Sequence, residues 1–90
     1  MRSHTLPSFW SAYRRLPDAV KQQARDAYRF FLLDPQHPGL HFKRVGKRRP
    51  VYSVRVSRNY RALGVLEDGD IVWFWIGPHD DYGRLLRYGA

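Results

Sequence analysis

Residues 51–76, which read VYSVRVSRNYRALGVLEDGDIVWFWI, decide the fold. In residues 52–57 an apolar side chain alternates with a polar one, which indicates a strand with one buried face. The apolar set is Tyr52, Val54 and Val56, and the polar set is Ser53, Arg55 and Ser57. Breaks at 57–59 and 67–70 divide the stretch into three strands, near 51–57, 60–66 and 71–76. Turns this short favour an antiparallel meander.

The sheet extends beyond this stretch. Residues 71–76 show no polar face, which predicts a place at the centre of the sheet, covered by helices on one side. A further strand is predicted near 40–45, before a break at 46–50, and residues 2–6 are a candidate edge strand.

Two helices precede the sheet. Pro7 opens a short one, and Asp34-Pro35 ends a longer one whose apolar face runs from Val20 to Leu32. We therefore predict an α+β fold in which two N-terminal antiparallel helices pack on a four-stranded antiparallel sheet, or on a five-stranded one with the edge strand. Residues 1–90 are expected to form a single domain.

Composition narrows the classes of protein. The absence of cysteine excludes disulfide frameworks, cysteine zinc sites and thiol nucleophiles, and it favours a reducing, cytoplasmic setting. The longest apolar run, 71–76, is too short to span a membrane, and the N-terminus lacks a signal-peptide core. We expect a cytoplasmic protein without a membrane partner.

The charge predicts an acidic partner. Lys and Arg number 16 against 8 Asp and Glu, a formal net charge of +8. Thirteen of the 16 are arginine, since the lysines are Lys21, Lys43 and Lys47 alone. Guanidinium forks onto phosphate oxygens and stacks on bases, so a nucleic acid, and RNA in particular, is a better partner than a lipid surface.

Two arginines are predicted to form a phosphate site. A simple hairpin at 57–59 places Arg55 and Arg61 close to each other, where they repel unless an anion bridges them. The competing interpretation pairs each of them with Glu67, Asp68 or Asp70. It is weaker because those carboxylates cluster at the next turn.

A histidine follows the last strand. His79 comes directly after Gly77-Pro78, at a strand end beside a sharp turn, and imidazole suits proton transfer near neutral pH. Tyr82 is placed to stack on a base or to orient a phosphate. The competing interpretation of His79 is an ordinary surface histidine.

Further cations are predicted to contact RNA. The predicted set comprises the basic run Lys43, Arg44, Lys47, Arg48 and Arg49, the turn residue Arg58, and His41 at a strand start. The alternative is a solvated loop that blocks aggregation at a sheet edge. The histidines lack metal-ligand spacing, and there is no Gly-rich phosphate loop or G-x-S-x-G elbow, so we expect no metal or other cofactor.

Two motifs carry a resemblance to a known family. They are Asn59-Tyr60-Arg61-Ala62-Leu63 and Ile76-Gly77-Pro78-His79-Asp80-Asp81-Tyr82. With two helices ahead of an antiparallel sheet, they resemble the RelE/ParE toxin superfamily of type II toxin–antitoxin systems. Their order and spacing are similar to those of the RelE-, YoeB- and YafQ-like ribonuclease branch, over nearly the whole chain.

The resemblance implies a metal-independent endoribonuclease that cuts mRNA in the ribosomal A site and acts with a cognate antitoxin. It implies that Arg61 contacts the scissile phosphate, that His79 transfers a proton, and that Tyr82 is the aromatic residue behind it. Arg55 would help to stabilise the phosphoryl charge. The region of Lys43, Arg44 and Lys47 matches the place of RNA-binding or catalytic lysines. Pro78 departs from the pattern, and no carboxylate clearly serves as a base.

Three alternatives to a nuclease stay open at this point. One is a ParE-like gyrase poison of the same fold, and another is a non-catalytic nucleic-acid-binding module. The third is a structural adaptor whose charge serves only solubility, and it would show no salt-sensitive RNA affinity.

Overall fold

The computed structural model describes residues 1–89 as three helices and one five-stranded sheet. The strands are β1 (Ser3–Thr5), β2 (Lys43–Arg44), β3 (Val51–Ser57), β4 (Tyr60–Glu67) and β5 (Asp70–Pro78). The helices are α1 (Pro7–Tyr13), α2 (Asp18–Leu33) and α3 (His79–Gly89), with a 3-10 turn at Pro38–Leu40. The predicted α+β class and the N-terminal edge strand are confirmed.

The spatial order of the strands is β1-β5-β4-β3-β2. The meander β3-β4-β5 and the β2–β3 pair are antiparallel, whereas β1 runs parallel to β5. The strand β5 is thus second from an edge, and the prediction that 71–76 lies at the centre is wrong. It has no polar face because α1 packs on one side of it, while Phe74 on the other side lines a groove with Leu6 and α3.

The main core lies between the sheet and the first two helices. The helix α2 buries Val20, Ala27 and Phe31 against the sheet, and Phe31 meets Trp73 edge-to-face with ring centroids 5.4 Å apart. Tyr52, Val54 and Val56 lie on this buried face of the sheet, as the alternation in the sequence predicted. The helix ends at the extended residue Asp34, as expected before Pro35.

A third helix covers part of the other face of the sheet. Leu85 and Leu86 of α3 line a groove together with Val51, Leu63 and Phe74. The prediction that helices cover the sheet on one side only is therefore wrong at the Val51 end of this face. Gly77-Pro78 predicts a sharp turn at this point, whereas the structure begins a helix at His79. Asp80 and Asp81 lie in its first turn, where acidic residues favour a helix N-terminus.

The first predicted sheet strand is shorter than expected. Pairing is confined to Lys43–Arg44, whereas the prediction was 40–45. The 3-10 turn takes up residues as far as Leu40, and His41 follows it with a left-handed φ of 47°, which breaks the extended chain.

Candidate functional site

Arg55 and Arg61 are direct partners across the β3–β4 hairpin, as the sequence predicted. An irregularity in the register follows Arg55, before Ser57 pairs with Tyr60 at the tip. Both arginines lie on the sheet face opposite α1 and α2, because the alternate residues Val54 and Ala62 belong to the main core. Neither arginine is in an ion pair with a carboxylate of residues 1–89.

The guanidinium of Arg61 is held by backbone carbonyls. Its Nη1 donates to the oxygens of Ser57 at 2.7 Å, Tyr60 at 2.9 Å and Arg58 at 3.3 Å. Partial burial lowers the pKa of Arg61, the charge of Arg55 acts in the same direction, and Tyr82 acts against it. Arg61 therefore lies in a strongly positive, partly desolvated setting that favours an anion.

His79 and Tyr82 lie beside this pair at the start of α3. The backbone N–H of His79 donates to the carbonyl of Asn59 at 2.7 Å, which ties the helix start to the hairpin tip. The imidazole meets the ring of Tyr82 with centroids 4.6 Å apart and planes at 63°. Residues three apart share a helix side, so α3 presents both rings together.

An open cleft of about 480 Å³ lies between Arg61 and His79. Its lining comprises Arg58, Asn59, Tyr60, Arg61, Pro78, His79 and Asp80. The structure thus brings together Arg61 and His79, with Arg55 and Tyr82 next to them, and adds Arg58 from the predicted RNA-binding set. The volume of the cleft falls within the range of ligand pockets.

The sequence did not signal all of the groups around this cleft. Asp80 lines it, whereas Asp81 is paired with Arg84 at 2.6 Å on the helix. The carbonyls of Ser57 and Asn59 were also missed, because backbone groups leave no trace in residue type. The available signal was the turn SRNY itself, placed directly before Arg61.

The basic run divides into separate parts. Lys43 pairs with Ser53, so it shares the face of Arg55 and lies one diagonal step away, about 7–8 Å. Arg44 pairs with Tyr52 on the opposite face, and its Nε donates to the carbonyl of Gly46 at 3.0 Å. Of the two, only Lys43 is therefore placed with the arginine pair.

Lys47, Arg48 and Arg49 lie in the loop before Val51, at the other end of β3 from Arg55. Val51 and Arg55 are four residue steps apart along the strand, which is about 13 Å. Glu67 and Asp68 lie at that same distant end, since Val51 pairs with Val65. Those carboxylates are consequently out of reach of Arg55 and Arg61, and the loop itself stays a predicted RNA contact outside the cleft.

His41 does not begin a strand, contrary to the prediction. It closes the 3-10 turn in a left-handed conformation and is exposed. Within residues 1–89 no group of His, Asp or Glu side chains is arranged to hold a metal ion. The described helices include none with the length and apolar character needed to cross a membrane.

A family model described as the ParE-like toxin domain matches residues 18–84, which include both arginines, His79 and Tyr82. No curated protein sequence matches the chain.

Several solved toxins share the fold. RelE in the RelE–RelB complex of Pyrococcus horikoshii is 16% identical with a TM-score of 0.67, over 86% of this chain and 92% of that one. The RelB–RelE complex of Methanococcus jannaschii matches at 11% identity and a TM-score of 0.73, covering 91% and 96%. YafQ from Escherichia coli matches at 10% and 0.70, covering 91% and 98%. At identities this low, the TM-scores show that these proteins and this chain share a fold and show nothing further.

Proposed function

The chain belongs to the family of ParE-like toxin domains, and we propose that it is the toxin of a type II toxin–antitoxin system that cleaves messenger RNA at the ribosome. One observation carries the nuclease proposal. Arg61 and His79 line one open cleft, Arg55 is the strand partner of Arg61, and Tyr82 packs on His79. Neither arginine has a carboxylate partner among the described residues.

The proposed chemistry uses the RNA as its own nucleophile. The 2'-hydroxyl gives its proton to solvent water as it attacks the adjacent phosphorus. The bond to the 5'-oxygen breaks, and a 2',3'-cyclic phosphate and a free 5'-hydroxyl result. Arg55 and Arg61 neutralise the charge that grows on the non-bridging oxygens. The imidazolium of His79 gives a proton to the leaving 5'-oxygen, which contributes about 10²–10⁴ in rate. Tyr82 packs against the imidazole and limits its orientation.

Arg58 lines the cleft itself, and Lys43 lies on the same sheet face as Arg55. The loop of Lys47, Arg48 and Arg49 continues the positive surface beyond the cleft, toward the other end of β3. In the proposal they contact the phosphates that flank the cut, so they contribute affinity and salt dependence rather than chemistry. Arg44 stays a predicted RNA contact, but it lies on the opposite sheet face and its Nε already donates to the carbonyl of Gly46.

A cognate antitoxin is proposed as the protein partner. The toxins of P. horikoshii and M. jannaschii that share this fold were solved with RelB. This chain carries an apolar groove of about 450 Å³ beside α1 and α2, where Trp10 and Tyr28 are 44% and 42% exposed. An acidic, amphipathic segment would cover such aromatic rings and offset the charge of +8.

The test is brief induction in bacteria followed by mapping of mRNA 5' ends. The native chain is compared with His79→Ala, Arg61→Ala and the matched control Arg14→Ala, an exposed arginine at the end of α1. We expect codon-phased cleavage from the native chain and from Arg14→Ala, and none from the two site variants. Cleavage that survives in Arg61→Ala or His79→Ala would overturn the assignment of the site.

A gyrase poison is the second candidate, favoured by the ParE-like description of the matching family model. It predicts growth arrest with intact mRNA and with DNA breaks in the same induction experiment. Under that function the substitutions of Arg61 and His79 have only modest effects.

A further inference from the structure

We propose that the turn between β3 and β4 fixes the guanidinium of Arg61 so that only its Nε–Nη2 edge is presented to a phosphodiester. The turn thereby acts as a positioning element of the site, because its carbonyls determine which edge of the Arg61 guanidinium is available to the ligand. The phosphodiester part of this inference rests on the proposed function, whereas the fixed guanidinium does not.

The observation is that four consecutive carbonyls, those of residues 57–60, all serve the site. Those of Ser57, Arg58 and Tyr60 accept from Nη1 of Arg61, at 2.7, 3.3 and 2.9 Å. The remaining one, of Asn59, accepts from the backbone N–H of His79 at 2.7 Å. One short turn therefore holds both Arg61, the proposed phosphate-binding residue, and the start of the helix that carries His79, the proposed general acid.

The donors of the guanidinium can be counted. It has five N–H groups, two on Nη1, two on Nη2 and one on Nε. The two on Nη1 are taken by the carbonyls. Nε and Nη2 have no hydrogen-bond partner among residues 1–87. Their N–H bonds form the parallel fork that receives two oxygens of one phosphate.

Electrostatics explains why the arginine stays folded back onto the turn. Its strand partner is the like-charged Arg55, so an unsupported Arg61 would extend away into solvent. Carbonyl oxygens carry partial negative charge and offset part of that repulsion. Holding the side chain in place before ligand arrives removes an ordering cost from binding.

The expected ligand is a phosphate with two free non-bridging oxygens, such as the internal phosphodiester of RNA. The fork binds those two oxygens side by side. The same turn anchors the helix start at His79, so it also sets the spacing between the fork and the imidazole. A small displacement of catalytic groups reduces rates by about 10²-fold.

The test uses ¹⁵N NMR of the arginine side chains in the full chain. The variant inserts one glycine between Arg58 and Asn59, and the matched control inserts one glycine between Asp68 and Gly69, at the opposite end of β4. Arg61→Lys assigns the signals. We expect separate, slowly exchanging Nη resonances of Arg61 in the native chain and in the control, and their collapse in the variant.

Ligand binding is measured by adding a dinucleotide with a 2'-O-methyl group, which cannot be cleaved. We expect it to shift the Nε and Nη2 signals of Arg61 and to leave Nη1 in place. Arg61→Lys keeps the charge and loses the fork, so its affinity for the dinucleotide should fall about tenfold or more. This second variant decides the matter if the inserted chain does not fold.

Freely rotating Nη signals in the native chain would overturn the proposal, as would native affinity in Arg61→Lys. The nuclease proposal and the fixed-guanidinium proposal can fail separately. Shifts of Nε and Nη2 without any RNA cleavage would support the fixed guanidinium and contradict the nuclease activity. RNA cleavage that requires Arg61, together with free rotation of Nη1, would support the nuclease activity and contradict the fixed guanidinium.

Discussion

The indole of Trp75 occupies the space that a β-carbon on Gly77 would need, because Cζ2 would lie only 2.5 Å from that atom. Gly77 is also the strand partner of Arg61. The glycine therefore leaves room for the indole of Trp75 directly beside the strand partner of Arg61.

Gly77→Ala should displace Trp75 and lower the free energy of unfolding by about 1–3 kcal/mol, as overpacking does. The matched change Gly83→Ala, in α3, meets nothing within 4 Å. It should raise stability by about 0.5–1 kcal/mol through helix propensity. Denaturant unfolding with tryptophan fluorescence measures both, and equal effects of the two substitutions would contradict the packing explanation.

Arg55→Gln should stabilise the chain at low ionic strength, because it removes a like-charge pair placed directly across the hairpin. The expected gain is about 0.2–1 kcal/mol, and it should vanish in high salt. Inorganic phosphate should raise the Tm of the native chain more than that of the variant. Thermal unfolding with and without phosphate is the measurement. Arg48→Gln, with the same charge change at the distant loop, is the control, and a gain of equal size there would point to net charge alone.

Leu63→Ala should be among the most damaging core substitutions. Leu63 is 0% exposed in the central strand, under α3, so a cavity there should cost about 2–5 kcal/mol. Leu33, at the end of α2, is 84% exposed, and Leu33→Ala should change stability by about 0.5 kcal/mol or less. Urea unfolding compares the two. A small loss in Leu63→Ala would mean that α3 does not close this face in solution.

Asp70 should make the fold sensitive to acid. A hydrogen bond from His4, and then one from the backbone of Arg2, lower the pKa of its carboxyl group below the ordinary 3.8. A carboxyl with a lowered folded pKa contributes stability above pH 3.8, and that contribution is lost as the pH falls through the lowered value. The Tm of Asp70→Asn should therefore fall less than that of the native chain between pH 4 and pH 2. Parallel curves for the two chains would contradict this role.

Local signals in the sequence determined much of the fold and part of the site. The period of two over 51–57 predicted the bounds of β3, and the short break after it predicted the facing of Arg55 and Arg61. Asp34-Pro35 predicted the end of α2. These features follow from alternation, turn length and proline geometry, which involve neighbours in the chain only.

The tertiary structure alone decided the order of the strands, the parallel pairing of β1 with β5, and the position of α3 over Leu63. It also placed the loop of Lys47, Arg48 and Arg49 away from the cleft, and it directed the carbonyls of residues 57–60 toward Arg61 and His79. Such features depend on contacts between distant segments and on backbone groups that every residue carries. Residue type does not encode the direction of a carbonyl, so only the folded chain shows how the site is held.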